Sequence, residues 1–145
     1  MKKAKALFLY TGNSCRSQMA EGWARALKGD FLEPYSAGIE VHGLNPRAVR
    51  VMREAGVDNS GQRSERAETL GRIPFDLVVT VCGNARESCS AFPGRTKTIY
   101  AGFDDPLRLA EGAGGEEEAL GHFRRVRDEI KEFVETLPGA LDPDG

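Results

Sequence analysis

The stretch at residues 7–17 constrains the fold more than any other, because an apolar run there turns through a short polar loop into a helical pattern. The run is typical of a strand over residues 5–10, and the helix pattern covers residues 15–28. Such a loop points backbone N–H groups at one spot, where the helix N-terminus adds partial positive charge. Arg16 would then grip a tetrahedral oxyanion with its planar guanidinium. An ordinary strand–turn–helix with an exposed arginine is the alternative that this pattern leaves open.

The rest of the chain alternates strand and helix patterns, which predicts an α/β fold with a doubly wound, four-stranded parallel sheet and helices on both faces. Ligands of such sheets bind beyond the carboxyl ends of the strands. The loops after Tyr10, Cys82 and Ala101 leave such ends, so we expect Arg16, Cys82 and Asp105 to converge. The other predicted elements are strands at 32–39, 75–82 and 96–101, a helix that Asn45 and Pro46 start and Gly56 ends, and a final helix at 116–137.

Apolar spacing predicts which helix faces are buried. Met19, Trp23 and Leu27 would pack on the sheet from the first helix, and Ala48, Val49, Met52 and Ala55 from the second. The final helix would bury Leu120, Phe123, Val126, Ile130, Val134 and Leu137. Residues 107–117 are rich in glycine and glutamate, so we expect a mobile linker there.

Composition describes one globular domain over residues 1–138, with a disordered tail at 139–145. The chain has 145 residues, 40% of them hydrophobic and 29% charged, and a formal net charge of −2. That charge gives no electrostatic reason to expect binding to nucleic acid or to an anionic membrane. No apolar run approaches the length of a membrane span. We expect a cytoplasmic monomer. Three cysteines, an odd number, argue against a structural disulfide framework.

Residues 11–22, Thr-Gly-Asn-Ser-Cys-Arg-Ser-Gln-Met-Ala-Glu-Gly, resemble the phosphate loop of thioredoxin-coupled arsenate reductases. Those enzymes share the fold of low-molecular-weight protein tyrosine phosphatases. The resemblance is collinear, spans nearly the whole chain, and continues at residues 35–40, 43–46, 76–82, 102–106 and 123–130.

The resemblance implies an oxidoreductase that turns arsenate into arsenite through a relay of thiols. In the family a nucleophilic thiol attacks arsenate, a second, matched here by Cys82, attacks the adduct and releases arsenite, and a third, matched by Cys89, resolves the disulfide. Thioredoxin then reduces the disulfide of the Cys82–Cys89 type. Asp105 matches the general acid, a proton donor opposite the nucleophile. The oxyanion cradle would comprise Thr11, Gly12, Asn13, Ser14, Cys15, Arg16 and Ser17.

The resemblance implies no tightly bound cofactor, with potassium as a candidate ion. Asn13, Glu21 and Ser36 match positions that help hold the loop and a monovalent cation in related reductases. The fourth such position appears here as Glu65.

One position departs from the family pattern: Tyr10 stands where the family has its nucleophilic cysteine, five residues before Arg16. A phenol has an unperturbed pKa near 10, so about one in a thousand is ionised at pH 7. It also takes no part in thiol–disulfide exchange. Without that thiol the usual phospho-enzyme of a tyrosine phosphatase cannot form.

Two functions remain open at this point. The first is a reductase whose first step is altered, with Cys15 as a substitute nucleophile because it lies beside Arg16 at a helix N-terminus, where the thiolate form is favoured. The second is a non-catalytic or very weak binder of arsenate or arsenite. The first is favoured by the retention of Arg16, Cys82, Cys89 and Asp105, and the second by Tyr10.

Overall fold

The computed structural model describes residues 4–9, 15–38, 45–59, 61–62, 75–80, 97–100 and 103–137. These ranges contain four strands and four helices. The strands are β1 (Ala4–Leu9), β2 (Leu32–Ala37), β3 (Leu77–Thr80) and β4 (Lys97–Tyr100). The helices are α1 (Arg16–Lys28), α2 (Pro46–Glu54), α3 (Pro106–Glu111) and α4 (Glu116–Glu135). The predicted tail at 139–145 lies outside the described residues.

The four strands form one sheet in the order β2-β1-β3-β4, and every neighbouring pair is parallel. In the centre of the sheet, Phe8 of β1 lies between Ser36 of β2 and Val79 of β3. The prediction of an α/β fold with a parallel sheet is confirmed. The order makes β1 and β3 the inner strands, so the chain after β1 leaves the middle of the sheet's carboxyl edge, where such folds bind ligands.

The inner strands are buried on both faces, as their unalternated apolar runs predict. Ala6 and Phe8 of β1 belong to a core that α1, α2 and α4 complete, while Leu7 and Leu9 point to the opposite face and are equally buried. The described helices of this core thus lie on one face of the sheet. The predicted stripe of α4 is buried along its whole length, from Leu120 to Leu137.

Two of the predicted buried faces need correction. Leu27 is exposed, although it follows Met19 and Trp23 at a spacing of four. Each step of four residues advances about 40° around a helix, so eight residues carry the side chain off the buried face. In α2, Val51 is buried and Ala55 is exposed. Ala55 ends the helix, where the chain has already turned away from the core.

The expected linker at residues 107–117 is wrong over its first half, because residues 106–111 form α3. Asp105 caps this helix by accepting the Leu107 N–H at 3.1 Å, and Pro106 occupies its first turn. Leu107 and Ala110 then pack against the core. The cap and this packing together stabilise a helix here, although a glycine-rich sequence follows it.

No helix among the described ranges combines the length and the apolar character that crossing a bilayer would need.

Gly56 closes helix α2, as predicted: it follows the C-cap residue Ala55 and has a φ of +88°. The Gly56 N–H donates to the Arg53 carbonyl at 3.0 Å, and the Val57 N–H donates to the Met52 carbonyl at 2.9 Å. These are the paired bonds of a Schellman motif, which needs a left-handed residue at this position.

We therefore expect Gly56→Ala to lower the free energy of unfolding by about 1 kcal/mol, because an alanine is strained at positive φ. A Cβ would meet no atom within 4 Å at Gly56, so crowding plays no part. Gly61→Ala is the matched control, since a Cβ there also meets nothing and the backbone is not left-handed. Urea titration of both variants tests this, and equal effects would contradict it.

Candidate active site

Arg16 is the first residue of α1 and sits at the sheet edge that the sequence predicts for a ligand. Its side chain is only 8% exposed. Nη1 donates to the Phe103 carbonyl at 3.0 Å, and Nη2 lies 3.7 Å from Oδ2 of Asp105. A guanidinium held on two sides in this way is preorganised and loses little side-chain entropy when it binds a second anion.

Asp105 is positioned by the helix that it caps. Its Oδ1 accepts the Leu107 N–H, so Oδ2 is left to face Arg16. The side chain is 34% exposed, which leaves it accessible to a ligand and to water. One carboxylate oxygen therefore caps α3, and the other faces Arg16.

The predicted convergence of Arg16 and Asp105 is confirmed by this contact. The third member of that prediction, Cys82, lies outside the described residues, as do Tyr10, Cys89 and the cradle residues Thr11, Gly12, Asn13 and Ser14. Cys15 is the N-cap residue of α1, one position before the helix begins. Its side chain is fully buried.

A second polar cluster joins α1 to the edge strand β2. The Ser36 hydroxyl donates to Oε1 of Glu21 at 2.6 Å, and Arg25 Nη2 pairs with Oε2 of Glu21 at 2.9 Å. The same Arg25 nitrogen donates to the Pro34 carbonyl at 3.3 Å. Glu21 and Ser36 are both buried, so this cluster supplies the charge and hydrogen bonds that a buried carboxylate needs.

The cluster bears directly on the expected potassium site. Glu21 and Ser36 lie together, and Arg25 pairs with the same Glu21 carboxylate. The other two members, Asn13 and Glu65, lie outside the described residues. Across the ranges that the structure describes, no group of three or more His, Cys, Asp or Glu side chains could hold a metal ion.

We expect Ser36→Ala to destabilise the protein by about 2 kcal/mol, because it removes a hydrogen bond to a buried charge. Tyr35→Phe is the matched control: it removes the neighbouring hydroxyl, whose bond to Glu33 at 2.8 Å is exposed, and should cost less than about 0.5 kcal/mol. Thermal or urea unfolding of the two variants measures the difference. A loss as large for Tyr35→Phe as for Ser36→Ala would rule out a special role for the buried bond.

Sequence reasoning missed two groups that shape the site: the Phe103 carbonyl that binds Arg16, and Arg25 beside Glu21. A backbone carbonyl carries no sequence signal, so the first was not predictable. The position of Arg25 did have a sequence signal, because Glu21 and Arg25 are four residues apart on a helix and that spacing pairs opposite charges.

Together these features describe a parallel α/β protein that pairs a buried arginine at a helix N-terminus with a carboxylate from another loop. Comparison with known proteins gives the family. The model of the family described as low molecular weight phosphotyrosine protein phosphatase matches residues 5–144, and the chain belongs to this family.

Similar curated proteins are named arsenate reductase. The one from Bacillus subtilis (strain 168) is 53% identical over 133 residues, which cover 89% of this chain and 94% of that protein. The one from Bacillus licheniformis is 52% identical over 140 residues, which cover 94% and 99%. A solved structure described as an arsenate reductase in the phosphate binding state is 31% identical, has a TM-score of 0.74, and is matched over 96% of this chain and 99% of that one.

A tyrosine phosphatase from Erwinia amylovora has a TM-score of 0.77 at only 18% identity, over 97% of this chain and 95% of its own. That likeness shows the shared fold alone.

Proposed function

We propose that this chain is an arsenate reductase that works through a cysteine thiol/disulfide relay regenerated by thioredoxin, as a cytoplasmic monomer with no tightly bound cofactor. The observation that carries the proposal is the contact between Arg16 and Asp105 at the start of α1, in a chain whose curated relatives are arsenate reductases. A protein that only bound oxyanions would need the arginine but not the acid.

The two described groups have complementary roles in this proposal. Arg16 and the N-terminus of α1 bind the oxyanion and oppose its charge. Asp105 gives a proton to the oxygen that leaves arsenic as water, and its exposure lets it recover that proton from solvent. Two thiols supply two electrons, arsenic falls from the +5 to the +3 state, and the two sulfurs become a disulfide. Thioredoxin then reduces that disulfide by thiol exchange.

Tyr10 means that the first sulfur–arsenic bond has to form at another thiol, and Cys15 is our candidate. It is the N-cap residue immediately before Arg16, and its side chain belongs to the hydrophobic core, so its sulfur has to turn out of that core to reach an oxyanion held by the guanidinium. Its full burial makes it slow to react with solutes in general, so the attack that we propose needs a local movement that exposes the thiol to the bound oxyanion. In the relay that we propose, Cys82 attacks the adduct and Cys89 resolves the disulfide.

A second function is favoured by Tyr10 itself: a protein that binds arsenate or arsenite without turnover. Thiolates are soft ligands that suit As(III), and the loop and Arg16 would suit arsenate. This reading requires the acid at position 105 to have lost its role.

The test is arsenate-dependent NADPH consumption with thioredoxin and thioredoxin reductase, for the parent protein and its Tyr10→Cys variant. We expect slow turnover by the parent and much faster turnover by the variant, because the variant restores a thiol in the cradle. Turnover by the variant alone would make the parent a binding protein. If neither turned over, the reductase function would be wrong.

The role of Cys15 has its own test. Cys15→Ser should abolish arsenate turnover by the parent protein, since serine cannot form the sulfur–arsenic bond. In the Tyr10→Cys background the same substitution should leave most of the turnover, because the thiol at position 10 then attacks. Full activity of Cys15→Ser in the parent would remove Cys15 from the relay.

A further inference from the structure

The three residues 103–105 carry both groups that contact Arg16. The Phe103 carbonyl accepts a hydrogen bond from Nη1 at 3.0 Å, and Oδ2 of Asp105 lies 3.7 Å from Nη2. The residue between them is Asp104. Whatever fixes this short segment therefore sets the geometry of the arginine and of the acid together.

One stripe of α4 contacts the segment through side chains. Arg125 Nη2 donates to Oδ2 of Asp104 at 2.8 Å. The ring of Phe133 meets the ring of Phe103 edge to face, with centroids 6.1 Å apart. Glu129 lies midway along the stripe and accepts from Arg125 Nη1 at 3.0 Å. The spacing of eight residues between Arg125 and Phe133 corresponds to about 12 Å of helix, so α4 holds the segment at two separate points.

We propose that Arg125 is a positioning residue, whose bond to Asp104 holds the Phe103 carbonyl and the Asp105 carboxylate in register with Arg16. This inference rests on the proposed function, in which Asp105 is the proton donor. Hydrogen bonds to Asp104 and then to Glu129 raise the pKa of the Arg125 guanidinium.

The exposure of this ion pair allows a positioning role for Arg125 to be distinguished from a contribution to the stability of the fold. The side chains of Arg125 and Asp104 are 44% and 64% exposed, and ion pairs of that kind contribute little to stability. A catalytic group, in contrast, loses much of its effect when it is displaced by an ångström or less. Loss of Arg125 should therefore change the site more than it changes the stability of the fold.

Arg124 provides a matched control on the same helix turn. It forms equally short ion pairs, at 2.8 Å with Glu54 and 2.9 Å with Glu117, but these lie on α2 and on α4 itself. Arg124→Ala therefore removes a neighbouring arginine and its ion pairs without touching residues 103–105.

The first measurement is hydrogen exchange at the Leu107 amide, whose N–H is bonded to Oδ1 of Asp105. We expect Arg125→Ala to speed this exchange at least threefold, Arg125→Lys to recover part of the protection, and Arg124→Ala to leave the rate unchanged. Asp104→Ala should reproduce the effect of Arg125→Ala, and the double variant should add nothing. Equal exchange rates in Arg125→Ala and Arg124→Ala would overturn the proposal, as would additive effects of Arg125→Ala and Asp104→Ala.

The second measurement is kinetic and uses the parent or Tyr10→Cys, whichever turns over arsenate. We expect Arg125→Ala to lower kcat three- to tenfold with a smaller change in KM, and Arg124→Ala to change neither. An unchanged kcat would overturn the proposal. If neither background turned over, the proposed function would fail, while the exchange at Leu107 would still decide whether Arg125 positions the segment.

Discussion

Replacing Arg16 with lysine is expected to weaken phosphate and arsenate binding by roughly 10- to 100-fold, the cost of losing hydrogen bonds to a charged group. Lysine keeps the charge but carries all its N–H groups on one nitrogen, so it loses the bidentate binding that a guanidinium fixed by the Phe103 carbonyl at 3.0 Å offers to an oxyanion. Titration calorimetry with phosphate measures the loss in the parent protein without requiring turnover.

Arg25→Lys is the control for this result, because Arg25 lies on the same helix and pairs with Glu21 rather than with the segment at 103–105. We expect it to keep the phosphate affinity of the parent. Phosphate binding that survived Arg16→Lys would mean that the oxyanion is held by the loop alone, and the assignment of Arg16 would fail.

The second large effect is expected for Asp105→Asn, which should lower kcat by about 100-fold or more, because an amide cannot donate the proton that the leaving oxygen needs. Asparagine is as good a helix cap as aspartate, so α3 and the stability of the protein should be preserved. Phosphate affinity should stay equal or rise, since a negative charge 3.7 Å from Arg16 has been removed.

Asp105→Ala completes this comparison. It loses the proton donor and also the cap on the Leu107 N–H, so it should match Asp105→Asn in kcat and be about 1 kcal/mol less stable. The assay uses the parent or Tyr10→Cys, whichever turns over. Turnover by Asp105→Asn near the level of its background would show that another group, or water, supplies the proton.

The parts of this fold that sequence predicts best are those governed by local chemistry. Asn45 and Pro46 start α2, and Gly56 ends it with a left-handed turn, as their side chains and backbone preferences require. The same start signal is present at Asp105 and Pro106. There the cap starts α3 although a glycine-rich sequence follows.

The remaining features depend on tertiary contacts, which the spacing of residues in the sequence does not specify. Leu27 satisfies a helical spacing and is still exposed, because the buried stripe of α1 turns away from it. The topology of a parallel sheet was enough to bring Arg16 and Asp105 to one edge. It was not enough to reveal that the Phe103 backbone or the Arg125 side chain completes their surroundings.

The contact between Arg16 and the Phe103 carbonyl joins residues 87 positions apart in the chain. At the usual speed of translation, roughly 4 to 17 s separate the synthesis of the two residues. A nascent chain that already carries the complete oxyanion loop therefore still lacks the acid and the carbonyl that hold its arginine. An oxyanion can bind only after the fold is complete. It should therefore shift the last steps of folding toward the native state by mass action.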